Sequence, residues 1–387
     1  MGRRGAAAVI CAVATMAVTA AGFAQDGVHD DRIVFGQSAA LSGPAAELGI
    51  EMRRGIMAAF GEVNAAGGIA GRRIELVSRD DSYEPEAAVA NTAALIRQDK
   101  VFALIGEVGT PTSAAAEPIA RSAGVPFIAP FTGAEFLRDP RLRNVVNIRA
   151  SYFEETETIV EGLVTDRGLR RIAVLYQDDS YGRSGLAGVD QALARRNMKT
   201  VAAGTYVRNT TAVKTALLSI RGGSPEAIIV IGAYLPSAVF TQWARKLGLD
   251  AVIVNISFVG ANALAEALGP AGDGVYVTQV VPFPTGDEMP VLADYRRALA
   301  AFDPDAMPGF GSLEGYIAGR LTLDVLRRLG PSPTRAGFLA QLASEGTFDI
   351  GGFLLRYGPR DNRGSDQVFL TVIRADGNID PVGSLAP

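Results

Sequence analysis

Histidine and cysteine are almost missing from this chain: its 387 residues hold one of each. Cys11 lies in an apolar N-terminal stretch, and His29 follows close behind it. Cysteine–histidine nucleophile pairs, zinc sites of Cys and His, and Ser-His-Asp triads all draw on these residue types. The usual acid–base repertoire is therefore thin, and neither an enzyme nor a metal site is expected. A surplus of positive charge is also lacking. The formal charge is −4, which argues against general nucleic-acid binding and against an anionic membrane surface as partner. No GxGxxG follows a strand-like run, and neither GxxxxGK[ST] nor GxSxG occurs. Nucleotide cofactors and α/β-hydrolase chemistry are disfavoured, and no cofactor is expected. After the N-terminal stretch no segment reads as a membrane span. Ala227 to Ala244 is uncharged, but Gly232, Pro236, Ser237, Thr241 and Gln242 fit a strand, turn and helix better.

What is present begins with a secretory pattern. Arg3 and Arg4 precede an apolar run from Ala6 to Ala21, and Gly22-Phe23-Ala24 offers small residues at the recognition positions. Residues 1–24 are expected to be a cleaved signal peptide, leaving 387 − 24 = 363 residues. Cys11 leaves with it, so the mature chain would form no disulfide and would depend on its core. Removing Arg3 and Arg4 leaves 35 basic against 41 acidic residues, a charge of −6.

The rest alternates apolar β-rich runs with helical patterns. Arg32 to Ser38 reads as a strand. Ala46 to Ala65 reads as a helix, with Leu48, Met52, Ile56, Phe60 and Val63 on one face. Strands at 73–78, 101–105 and 125–129 alternate with helices at 85–98 and 111–122. A second series begins after about residue 150, with helices at 153–167, 182–196, 211–220 and 237–247 between strands at 171–176, 200–206, 227–231, 251–255 and 274–280. Such alternation implies parallel sheets covered by helices. Two series imply an α/β fold of two Rossmann-like lobes, joined by several short crossovers.

Ligands of open α/β sheets collect at the carboxyl ends of strands. The segments following the strands are rich in hydroxyls, aromatics and glycine: Leu41 to Pro44, Asp80 to Tyr83, Gly106 to Ser113, Pro130 to Gly133, Asp178 to Gly182, Tyr234, and Ser257-Phe258. Thr110 suits an N-cap and Pro111 the first helical position. The helix start there suits a small anion such as a carboxylate, or is simply a capped helix. Asp80-Asp81 and Asp178-Asp179 read either as cation ligands or as turn and cap residues. Tyr181 and Tyr234 read either as stacking surfaces or as half-buried packing.

In combination these residues resemble a known family. Gly36-Gln37, Leu41-Ser42-Gly43-Pro44, Gly49, Asn64 to Ile69 with Gly71-Arg72, Asp80-Asp81 with Pro85, Ile105-Gly106, Val125-Pro126 and Asp178 with Tyr181-Gly182 are similar to the branched-chain amino-acid (Leu/Ile/Val) binding proteins. These are type I periplasmic solute-binding proteins of ABC importers. The resemblance covers nearly the whole mature chain. It implies two lobes joined by a three-crossover hinge, with crossovers near Arg149, Val281 and Gly352. Residues 25–149 and 282–351 would form the N-terminal lobe; 150–281 and 352–387 would form the C-terminal lobe. It further implies that Thr110, Thr112 and Ser113 hold a ligand carboxylate, with Pro130, Phe131 and Thr132 beside them. Tyr181 and Tyr234 would come from the other lobe, and Leu48 stands where an aromatic usually covers the ligand side chain. Ser257 stands where amino-acid binders carry the acid that pairs the ligand ammonium. An aromatic or aliphatic acid is therefore an alternative to an amino acid, given Phe131, Tyr181, Tyr234 and Phe258, and Glu107 is a substitute acid from the first lobe.

The implied function is a periplasmic receptor, a monomer with no nucleic-acid partner, that hands a small carboxylate-bearing molecule to a membrane permease. The alternative is a periplasmic ligand-sensing subunit for a signalling partner, with the same binding chemistry.

Overall fold

The computed structural model describes residues 25–386; the expected signal segment, with Cys11, lies outside them. The first lobe begins with β1 (Arg32–Ala39), α1 (Ala46–Ala65), β2 (Arg73–Asp80), α2 (Pro85–Arg97), β3 (Ala103–Ile105), α3 (Thr110–Ser122), β4 (Phe127–Ile128) and β5 (Val145–Val146). Its strands pair in the order β2-β1-β3-β4-β5, all parallel. The second lobe holds α4 (Tyr152–Glu161), β6 (Ile172–Gln177), α5 (Ser180–Ala194), β7 (Ala202–Tyr206), α6 (Lys214–Gly222), β8 (Ala227–Ile231), α7 (Tyr234–Lys246), β9 (Val252–Asn255), α8 (Ala261–Leu268) and β10 (Val275–Gln279). The chain then returns to the first lobe as α9 (Pro290–Phe302), α10 (Phe310–Leu329), α11 (Arg335–Glu345), β11 (Thr347–Ile350), β12 (Phe353–Gly358) and β13 (Asp361–Gly364). Finally β14 (Phe369–Ile373) and β15 (Ile379–Val382) add two antiparallel strands to the β10 edge of the second sheet.

The residues explain the layers. β6 and β8 read as near-continuous apolar runs because helices cover both faces of their sheet, and every residue of β8 is buried. On α1 the stripe Leu48, Met52, Ile56, Phe60 and Val63 is buried, and the helix packs along α10. Gly55 makes that approach possible, since a Cβ there would lie 1.8 Å from the Ser312 carbonyl oxygen.

Several elements differ from the sequence reading. α7 starts at Tyr234 rather than 237, because Pro236 falls in its first turn, where no N–H is required. The helix read over 153–167 is α-helical only to Glu161. It continues as a π-turn over Gly162–Asp166, where Gly162 accommodates Leu385. The largest correction concerns the last crossover. Gly351 and Gly352, at φ of 60° and 95°, form the two-residue turn of a hairpin in which Ile350 pairs with Phe353. β12 and β13 therefore stay with the first lobe. Tyr357 Oη donates to the Asn147 carbonyl at 2.8 Å, and Asn362 Nδ2 donates to the Leu137 carbonyl at 3.0 Å. Residues 353–364 thus pack on the first lobe, and the chain crosses to the second between β13 and β14, not at Gly352.

Candidate functional site

The carboxyl ends of both sheets face a common cleft. In the first lobe α3 follows β3 through Gly106–Gly109. The N-cap is Gly109, not Thr110. Gly109 has φ +107°, and a Cβ there would lie 2.2 Å from the Tyr83 ring, so both conformation and space demand glycine. Thr110 is thereby free of capping. Its hydroxyl lies 2.6 Å from that of Thr132, and Thr132 donates to Tyr152 Oη at 3.2 Å. These three hydroxyls form a buried chain at the start of α3, with Pro130 buried beside it. Thr112 turns back along its helix to the Gly109 carbonyl at 3.0 Å. Ser113 is fully buried, and its Oγ has no hydrogen-bond partner.

The second lobe meets this chain with an aromatic layer. Phe258 follows β9 and packs on Tyr181 at 4.5 Å between ring centroids. It also packs on Phe131 at 5.7 Å and Tyr83 at 5.9 Å, both from the first lobe. Tyr181 in turn packs on Tyr152 at 5.5 Å. Asp179 caps α5 by accepting from the Tyr181 amide at 2.9 Å, which fixes the ring's entry into the layer. Asp81 closes a turn, accepting from the Tyr83 amide at 2.9 Å and from Ser38 Oγ at 2.7 Å. Burial pushes its carboxyl up to about 6 despite those bonds. Both acidic pairs therefore contain a turn or cap residue.

Beside the aromatic layer lies a cavity of about 30 Å³, room for little more than a water molecule. The lobes are closed around it. Leu48, Phe131 and Ser257 line it, together with Arg149, Glu51 and Glu314. Leu48 reaches over Gly260 of the second lobe, where a Cβ would lie 2.6 Å from its Cδ2. Of the other residues read from the sequence, Thr110, Thr132 and Tyr181 belong to the adjoining layer. Thr112 and Ser113 lie within α3, and Tyr234, at the start of α7, faces Glu47 across the cleft. Glu107 is buried with both carboxyl oxygens unpartnered. Burial and the nearby Asp81 hold its pKa well above the usual range.

A buried ionic network runs through the cavity wall. Arg149 Nη2 donates to Ser257 Oγ at 2.8 Å, and its Nε lies 3.2 Å from Glu314 Oε1. Its guanidinium sits 4.4 Å from the Phe131 ring centre. The Ser257 amide and hydroxyl donate to Glu155 at 2.7 and 2.9 Å, and Thr278 donates to the same carboxylate. A carboxylate therefore stands next to Ser257, delivered by α4 instead of by the chain after β9. Burial raises the Glu314 carboxyl to about 7, with Arg149 pulling it down and Glu155 pushing it up. Arg149, Glu155 and Glu314 are site residues that the strand-end reading of the sequence does not reach. The available signal was Glu314 itself, a charge inside the apolar stripe Leu313, Ile317 and Leu321 of α10.

Two lobes of parallel α/β sheet, three chain passages between them and a cavity walled by both define a type I two-lobed binding protein. The chain belongs to the periplasmic binding protein family, whose model matches residues 32–378, and it is a binding protein rather than an enzyme. It is similar to Leu/Ile/Val-binding protein homolog 7 of Brucella abortus (strain 2308), at 26% identity over 305 residues, 74% of this chain and 75% of the relative. A solved structure of a possible leucine/isoleucine/valine-binding protein from Rhodopirellula baltica SH 1 superposes with a TM-score of 0.87 at 37% identity. It covers 94% of this chain and 98% of that one. A substrate-binding periplasmic protein from Ralstonia solanacearum does so at 0.85 and 32% identity, covering 90% and 99%.

Proposed function

We propose that this protein is the periplasmic receptor of an ABC importer and captures a small carboxylate-bearing molecule between its closing lobes. The observation that carries the reading is Arg149. It is a buried cation, paired with Ser257 and Glu314 but with Nη1 still unpartnered, on a cavity whose walls come from both lobes. Leu48, Phe131 and Phe310 supply apolar surface around it; in this closed form the space is water-sized, and a small acid with an apolar body would seat there with the lobes spread further apart. The names of the Brucella and Rhodopirellula relatives favour an amino acid among such molecules. Ligand that bridges the lobes stabilises the closed form by its differential affinity, and the closed form docks on a membrane permease. The receptor works as a monomer, exported by its cleaved N-terminal segment.

A thermal-shift screen tests the reading. The panel sets amino acids against aromatic and aliphatic acids without an amine. A ligand at a hundred times its Kd adds about 2.7 kcal/mol, a rise of a few degrees in Tm. Absence of any shift across the panel, or chemical turnover of a bound compound, overturns it.

A further inference from the structure

The first lobe carries a second concavity, and none of its lining residues lines the cleft cavity. It follows from the pattern of α11, which has two apolar stripes. Phe338 and Leu342 face the core and are buried. Ala336, Leu339, Ala340 and Ala343 recur at i, i+3, i+4 and i+7, and they stay at least partly exposed along a groove of about 500 Å³. Alanines keep this stripe low, where leucines would fill the space. The facing walls are Leu142 and Val146, at the edge of the first sheet, and Tyr357 of β12. A mainly apolar concavity of this size, with a few placed polar groups, is what a small-molecule site requires.

The free polar groups at the rim reduce to two cations. Asn362 Nδ2 is spent on the Leu137 and Leu142 carbonyls at 3.0 and 3.3 Å. Tyr357 Oη is spent on the Asn147 carbonyl. The acids nearest in sequence, Asp139 and Asp361, are taken by Arg141 and Arg363. Arg143 and Arg360 line the groove, are exposed, and pair with no carboxylate among the described residues. The chain has 41 acidic against 37 basic residues, so two unpaired arginines at one apolar groove locally reverse its charge. We propose that this groove is a second ligand site, which takes a free amphiphilic anion. The apolar chain lies along α11, and the carboxylate or sulfate head sits at Arg143 and Arg360, whose stems extend the apolar surface. A single chain fits better than a bilayer because the floor is recessed between α11 and the β12–β13 hairpin.

Isothermal titration of the mature protein with octanoate and with octan-1-ol tests the proposal. Octanoate should bind at least threefold tighter than the alcohol. Replacing both arginines, Arg143→Ala with Arg360→Ala, should weaken octanoate by roughly three- to tenfold, the scale of two exposed charge contacts. Octan-1-ol should be unaffected, and Tm unchanged because both side chains are exposed. Ala340→Trp fills the groove and should remove binding of both probes. Octanoate binding that survives Ala340→Trp belongs to the cleft and overturns the proposal. Equal affinity for acid and alcohol overturns it as well. So does a failure of octanoate to bind, whether the face stays empty, docks on phosphatidylglycerol vesicles, or joins two copies in a dimer that Leu339→Asp dissociates.

Discussion

Asp81 shows how single side chains set the terms of stability. Its carboxyl has a folded-state pKa of about 6 against 3.8 for the free side chain. A raised carboxyl pKa means that the fold favours the protonated form. The contribution is fully present below the unfolded value and is lost as pH climbs through the folded one. Roughly two units correspond to about 3 kcal/mol, an order of magnitude that other titrating groups modify. Urea midpoints measured from pH 3.5 to 7 should therefore fall more for the native chain than for Asp81→Asn. Parallel curves would show that Asp81 ionises in the fold without cost. Tyr181 lies in a different category from Thr110, although the sequence marks both as contacts. Tyr181 is fully buried among Tyr152 and Phe258, so truncation to alanine removes core as well as a hydroxyl, and Tyr181→Phe is the cleaner probe.

At the scale of elements, the α1–α10 pair matters most, because α10 carries Glu314 and α1 carries Leu48 and Glu51. The helices meet through reciprocal glycines: a Cβ on Gly55 would lie 1.8 Å from the Ser312 oxygen, and one on Gly315 would lie 2.2 Å from the Met52 oxygen. Backbone cannot yield as a flexible side chain can. Gly55→Ala should cost about 3 kcal/mol and shift Glu314 within the cavity. A fall in Tm of several degrees with reduced ligand affinity is the expected result. An unchanged Tm would mean that the helices slide apart freely. The alternation of strands and helices was legible from hydrophobic period alone, and so were the buried runs of β6 and β8. Elements set by tertiary pairing were not. β5 has two residues, and β13, Asp361–Gly364, is polar and carries no alternation. Of the residues that reach the cavity wall, Phe131 and Ser257 were legible at strand ends, and Leu48, in α1, only through the family resemblance. Arg149 and Glu314 were not, because their pairing joins positions 165 residues apart (314 − 149), which no local pattern encodes.

For the whole molecule, closure includes a latch at the cleft rim beside the aromatic layer. Arg208 of the second lobe donates to Glu84 of the first at 2.7 Å, and Asn209 donates to Glu84 and to the Ser82 carbonyl. Gln177 reaches Tyr83 Oη at 3.3 Å. These contacts exist only when the lobes meet, so they bias the open–closed equilibrium directly. Arg208 is 20% and Glu84 43% exposed on their side chains, so their pair contributes on the order of 0.5 kcal/mol after solvent screening. Arg208→Ala should lower ligand affinity by about two- to threefold and enlarge the ligand-free radius of gyration in solution scattering. Scattering identical to that of the native chain, with undiminished affinity, would remove the latch from the mechanism. The order in which the chain visits its lobes has a further effect, on folding in time. Helices α9 and α10, which cover the apolar face of α1, come from sequence beyond the β6 to β10 stretch of the second lobe. A chain emerging from its N-terminus can complete the contiguous β6 to β10 sheet, while the first lobe still exposes Met52, Ile56 and Phe60. Contacts of that sequence separation fold slowly and stay open to aggregation, so the lobe that begins the chain must wait for helices made long after its own first strands.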